Sequence, residues 1–119
     1  MKKDNAIAYD KKILEADVIK EIGELIAVYQ LSIFRQNTGA TKIGKRFVRF
    51  GEPGTGDYAG WCKYTGRHVE IEVKKPNGGV LSAAQKRRLD AINKAGGVGI
   101  VATSAADCYA QLKEAEVIR

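Results

Sequence analysis

At 119 residues, 45% of them hydrophobic, the chain fits one domain around one core, and no second domain needs to be sought. Twenty Lys and Arg against fourteen Asp and Glu give a net charge of +6 and a pI near 9.4, a balance that suits a polyanionic partner such as nucleic acid without requiring one. Cys62 and Cys108 stand alone, with no CxxC, CxxH or clustered histidine, so neither a zinc site nor a disulfide framework is indicated and a reducing cytoplasm fits; no stretch approaches the roughly 20 apolar residues of a membrane span, so a soluble protein is expected.

From Leu14 to Tyr29 the residues Leu14, Val18, Ile22, Leu25, Ile26 and Tyr29 recur at mostly three- and four-residue steps, which predicts an amphipathic helix. Leu31 to Arg35 and Arg46 to Phe50 are rich in β-formers and predict two short strands, with Asn37-Thr38-Gly39 breaking them apart. Gly51 to Gly56 holds three glycines and a proline in six residues and must be a loop. Asp57 to Cys62 and His68 to Lys74 predict a hairpin turning at Thr65-Gly66. Ser82 and Gln85 have the form of a capping box for a helix reaching about Ala95, where Gly96-Gly97 stops it. Val98 to Thr103 is an apolar strand, and Ser104 can cap a last helix to about Glu116. The order predicts an α/β sandwich with one mixed sheet.

The chemistry lies in His68-Val69-Glu70-Ile71-Glu72-Val73-Lys74. A period of two puts Val69, Ile71 and Val73 on one face and Glu70, Glu72 and Lys74 on the other. Glu72 and Lys74 have Cα atoms roughly 6.5 Å apart, near enough to serve one site, though a Glu-x-Lys in a strand is usually just an ion pair on a solvated face. Asp57 alters the reading. It begins the preceding strand directly after the glycine loop, so hairpin pairing can bring it beside Glu72 and converge two carboxylates at one end of the sheet. Two hard oxygen ligands, a backbone carbonyl and waters satisfy Mg²⁺, and a neighbouring ammonium suits phosphodiester hydrolysis.

Gln85 falls in line with Leu89, Ile92 and Gly96 on the inner face of its helix, so it can serve the site, close the capping box, or both. On the first helix Glu15 lies within the apolar stripe and Glu21 flanks it. A carboxylate on that face needs a partner, unless Glu15 is only a first-turn glutamate favoured by the helix dipole. His68, the sole histidine, has no neighbouring Ser or Cys nucleophile and reads as structural.

Taken in order, these segments resemble the virus-type replication-repair nuclease domain (VRR-NUC), a branch of the PD-(D/E)XK nuclease superfamily. Phe34-Arg35-Gln36-Asn37-Thr38-Gly39-Ala40 is similar to its arginine and asparagine segment, Gly51 to Asp57 to its glycine, proline and aspartate loop, Ile71-Glu72-Val73-Lys74 to its I-E-x-K strand, and Leu81-Ser82-Ala83-Ala84-Gln85 to its L-S-x-x-Q helix start. With Gly96-Gly97 and the strand after it, the resemblance runs from about Glu15 to Leu112. Gly54-Thr55-Gly56-Asp57 departs from the proline that many superfamily members have before the aspartate, and Tyr58 stands where an aliphatic residue is usual.

The resemblance implies a single domain over residues 1–119 with a restriction-endonuclease-like αβββαβ core, its mixed central sheet flanked by helices. It implies that Asp57, Glu72 and the Val73 backbone carbonyl bind Mg²⁺ or Mn²⁺, that Lys74 is the catalytic lysine, that Gln85 completes the centre and that Glu15 is the helical acid. It further implies DNA repair or recombination in a bacterial or phage-infected cell, with the stand-alone, phage-like members resembling Holliday junction resolvases. A homodimer suits that substrate, since a four-way junction needs two cuts related by two-fold symmetry.

For DNA contact, Arg35, Asn37 and Thr38 are the favoured residues, at a polar strand end beside the cleft. Lys42, Lys45, Arg46, Arg49, Lys63 and Arg67 are expected around the loops next to the site, and Lys86, Arg87, Arg88 and Lys94 mostly on the outer, solvated side of the second helix. Tyr58, Trp61 and Tyr64 fit core or dimer contacts better than base stacking. The competing functions are a non-catalytic nucleic-acid-binding module of the same fold and a restriction-type nuclease reading a linear sequence.

Overall fold

The computed structural model describes residues 13–36, 39–43, 46–50 and 54–119. Three helices and a four-stranded mixed sheet make an α/β fold among them. Helix α1, Glu15–Val28, forms as its apolar spacing requires, with Val18, Ile22 and Ile26 buried at four-residue steps and the Asp17 carboxylate accepting the Leu14 N–H at 3.1 Å. It ends where Gln30 turns left-handed at φ 52° and Leu31 N–H donates to the Ile26 carbonyl, a closure usually made with glycine. Helices α2, Ala83–Lys94, and α3, Ala105–Glu114, begin at the expected caps, Ser82 and Ser104, each serine oxygen accepting the N–H of the residue three further on. No helix among the described residues is long and apolar enough to cross a membrane.

The sheet strands are β1, Ile33–Arg35, β4, Tyr58–Trp61, β5, His68–Val73, and β6, Val98–Ala102, in the order β1-β4-β5-β6. The first three are antiparallel neighbours and β6 runs parallel to β5. Two further strands, β2, Gly39–Ile43, and β3, Arg46–Phe50, pair only with each other. The expected break at Gly39 is therefore a strand start: Gly39 pairs with Phe50, and backbone pairing with β3 outweighs the weak β-propensity of glycine.

Helices α1 and α3 pack on one face of the sheet and α2 on the other. The core fills the first interface, where Val69, Ile71 and Val73 of β5 meet Ile22 of α1, Cys108 and Leu112 of α3, and Tyr58 of β4. The Tyr58 hydroxyl donates to the Ile19 carbonyl at 2.6 Å, which ties β4 to α1. Beyond α3 the chain is not spent, because Val117 and Ile118 fold back as buried members of this core.

Strand β1 approaches β4 so closely that a Cβ at Gly60 would collide with the Ser32 carbonyl oxygen. Gly60→Ala is accordingly expected to lower stability by about 1–3 kcal/mol through forced separation of the two strands. Urea denaturation checks it; a midpoint equal to that of the unsubstituted protein would show that the strands part without penalty.

Candidate active site

Helix α2 lies across β5 on the side that carries Glu70 and Glu72, leaving these residues 0% and 3% exposed. The ordinary solvated face therefore does not form here, and both carboxylates need partners, since burying a charge alone is expensive.

Glu70 is satisfied by three donors. Arg88 Nε reaches both its oxygens, at 2.9 and 3.0 Å, the Gly56 N–H donates at 2.9 Å, and His68 Nε2 lies 2.7 Å away. A carboxylate accepts only, so the proton of that imidazole nitrogen points at Glu70. Burial alone would push the Glu70 carboxyl up, but the donors, Arg88 foremost, outweigh it and hold the group below its ordinary value. Arg88, expected on the outer helix face, turns inward because Glu70 draws it there.

Glu72 sits differently. Lys74 Nζ is 3.3 Å from Oε2, and Gln85 Nε2 donates to the same oxygen at 2.9 Å. Register places Tyr58 opposite Ile71, so the next step sets Asp57 against Glu72. Burial and then the Asp57 charge raise the Glu72 pKa to about 7, against the pull of Lys74.

Asp57 is held on its own account. Its Oδ2 accepts the Val73 N–H at 2.7 Å, while Arg35 Nη1 donates to its backbone carbonyl at 2.9 Å and lies 3.7 Å from Oδ1. The loop before it is seated against two elements: a Cβ at Gly56 would come 2.8 Å from the Ile71 carbonyl oxygen, and one at Gly54, where φ is 83°, would come 2.7 Å from that of Ala84. Gln85 both closes its helix cap and reaches Glu72. Its N–H and Oε1 close the box with Ser82, at 3.1 and 2.8 Å, which leaves Nε2 for Glu72.

Asp57, Glu72, Lys74, Gln85 and Arg35 are thus brought together, whereas Glu15 is not. Among the described residues no group of three or more His, Cys, Asp or Glu side chains could hold a metal ion, so neither Glu15 nor Glu21 joins the carboxylate pair. Glu15 is half-buried at the start of α1, and Glu21 lines a separate cleft of about 410 Å³ with Asp17, Pro76 and Thr103. Asn37, Thr38 and Lys45, and the side chains of Lys42, Arg46 and Arg49, lie outside the described residues.

Lys63 and Arg67 are not beside the site. Lys63 Nζ donates to the carbonyls of Tyr29 and Gln30 at the end of α1, and Arg67 to those of Gly96 and Gly97, at the far end of β5. That end is roughly 17 Å from Val73, five strand residues away. Tyr58 is core, whereas Trp61 is half-exposed and packs on Phe34 with ring centroids 5.7 Å apart. Glu70 is the residue that sequence reasoning passed over; the signal available was its place in the same alternation as Glu72.

The chain matches no protein-family model, no curated protein and no solved structure. What the site can do follows from its own geometry: a buried carboxylate, Glu72, and a partly exposed one, Asp57, repel each other beside an ammonium at one end of the sheet. Their proximity disfavours the doubly ionised pair, in accord with the raised pKa of Glu72.

The raised pKa of Glu72 has a definite sign in stability. The folded state favours the protonated form, so this contribution is complete below the unfolded carboxyl value and is lost as pH rises through about 7. In a chelating buffer the protein is expected to lose up to about 3 kcal/mol from this group between pH 4 and 8, and Glu72→Gln to flatten that slope. Urea unfolding of both proteins across the range checks it, and parallel pH profiles would contradict it.

Proposed function

We propose that the chain is a divalent-metal-dependent endonuclease that hydrolyses phosphodiester bonds in branched DNA, with Asp57, Glu72 and Lys74 at its centre. The observation that carries this reading is the meeting of Asp57 and Glu72, whose mutual repulsion a bound cation relieves. The donor set fits Mg²⁺ or Mn²⁺, hard ions that keep several waters and take few protein carboxylates. Asp57, Glu72 and the Val73 backbone carbonyl would hold the ion. When bound, it supplies Lewis-acid polarisation of a phosphoryl oxygen and a more acidic water.

The chain's own residues divide the remaining work. Lys74, tethered to Glu72, orients the attacking water and steadies charge growing on the phosphoryl oxygens. Gln85 fixes the Glu72 carboxylate through its Nε2. Arg35, half-exposed beside Asp57, offers its guanidinium to a neighbouring phosphate. Glu15, which forms no metal-holding group with the carboxylate pair, has no part in this scheme.

The finer fold follows the same reading. The sheet strands and helices succeed one another as α1, β1, β4, β5, α2 and β6, an order compatible with a restriction-endonuclease-like αβββαβ core into which β2 and β3 are inserted. Branched DNA as substrate, a homodimer with two-fold symmetry and action in repair rest on the resemblance of the ordered segments to the VRR-NUC domain. The two buried free thiols, Cys62 and Cys108, suit a cytoplasmic setting.

Purified protein with Mg²⁺ or Mn²⁺ is expected to cut a four-way junction in preference to linear duplex. EDTA should abolish cutting, and Asp57→Ala and Lys74→Ala should each slow it by about a hundredfold or more. If no flap, junction or duplex is cut and both variants match the parent in every DNA-binding assay, the chain is not this enzyme. Equal rates on linear duplex and junction would reject the resolvase assignment, and fixed cut positions on linear DNA would favour a sequence-reading nuclease.

A further inference from the structure

Glu70 cannot meet a substrate. It is fully buried beneath α2, where its partners are Gly56 in the loop, His68 at the start of β5, and Arg88 on α2. A buried ion pair held only for stability roughly breaks even against apolar residues of similar size, so the Arg88 pairing by itself gives Glu70 no evident purpose. The Gly56 contact does, because Gly56 immediately precedes Asp57.

Successive backbone groups are pinned there from separate directions. The Gly56 N–H is held by Glu70, the Asp57 carbonyl by Arg35, and the Asp57 carboxylate then meets the Val73 N–H. Gly56 lies against the β5 backbone where no side chain fits, so the loop has one seat on the strand. We propose that Glu70 is a positioning residue for the Asp57 and Glu72 pair: braced by Arg88, it anchors the Gly56 N–H and thereby sets where Asp57 presents its carboxylate. The consequence for metal binding rests on the nuclease reading above; the positioning itself does not.

Replacing both members of the ion pair removes the anchor without stranding a buried charge. Glu70→Leu/Arg88→Met does this, while Glu70→Gln/Arg88→Met restores a neutral acceptor of native size. Amide exchange followed by NMR reads Gly56 and Val73, and calorimetry with Mn²⁺ alone reads the site. In the Leu/Met protein both amides are expected to exchange roughly tenfold faster, with β5 to β6 pairing amides unchanged, and the Mn²⁺ dissociation constant to rise about tenfold or more. The Gln/Met protein is expected to recover both properties, a rescue that a merely stabilising role for the pair would not require.

Unchanged Val73 exchange in a folded Leu/Met protein would overturn the proposal. Should that variant not fold, fast Gly56 and Val73 exchange in a folded Gln/Met protein, where the acceptor is retained, would overturn it as well. If the parent protein binds no Mn²⁺, the metal-dependent reading falls, and the exchange measurements still decide whether Glu70 positions Asp57.

Discussion

The structure depends on one burial: α2 covers the charged face of β5. Without the helix, Glu70 and Glu72 would be ordinary surface glutamates, solvated and free to move. Under it each must find partners inside the protein, and the partners come from the glycine loop, the start of β5 and the residue just past its end, and α2 itself. The need to compensate two carboxylates thus organises elements far apart in sequence.

Two glutamates two residues apart on one strand face end in opposite electrostatic states. Glu70 has an Arg, a backbone N–H and an imidazole, and its carboxyl is held below the ordinary value despite complete burial. Glu72 has an ammonium and an amide, but it also faces Asp57, and its carboxyl is pushed up to about 7. Environments that drive like groups apart mark a division of labour. One carboxylate is a fixed anion within the scaffold; the other holds its proton to near neutrality.

Much of this was legible in the sequence, for reasons that differ by element. Helix spacing, serine caps and the glycine stops are local signals, and α1, α2 and α3 formed within a residue or two of their expected limits. Asp57 meeting Glu72 was legible because a hairpin carries its register in its own turn. The start of β2 at Gly39 was not, since it is set by pairing with β3 rather than by its own residues. Arg88 was misread for a related reason: helical periodicity marks polar residues as outward, and only a buried anion on another element reverses that. What Glu15 faces was not legible from the opposite cause, because a position inside an apolar stripe says that a residue faces inward without saying what it faces.

The geometry of α2 on β5 explains how one helix serves both carboxylates. Gln85 reaches Glu72 and Arg88 reaches Glu70, so a step of three forward along the helix answers a step of two backward along the strand. Three helical residues rise about 4.5 Å and two strand residues about 6.6 Å. The longer arginine side chain spans the difference that the shorter glutamine does not need to. Leu89, the next residue along, is buried, while Lys86 and Arg87 face outward, so the same side of the helix supplies both polar clamps and an apolar contact. Sliding α2 along the sheet would break both clamps together, and because the loop bearing Asp57 also rests on the first turn of α2 at Ala84, it would disturb the aspartate too. The helix, strand and loop therefore hold the site as one unit, and the spacing of three against two is what locks them.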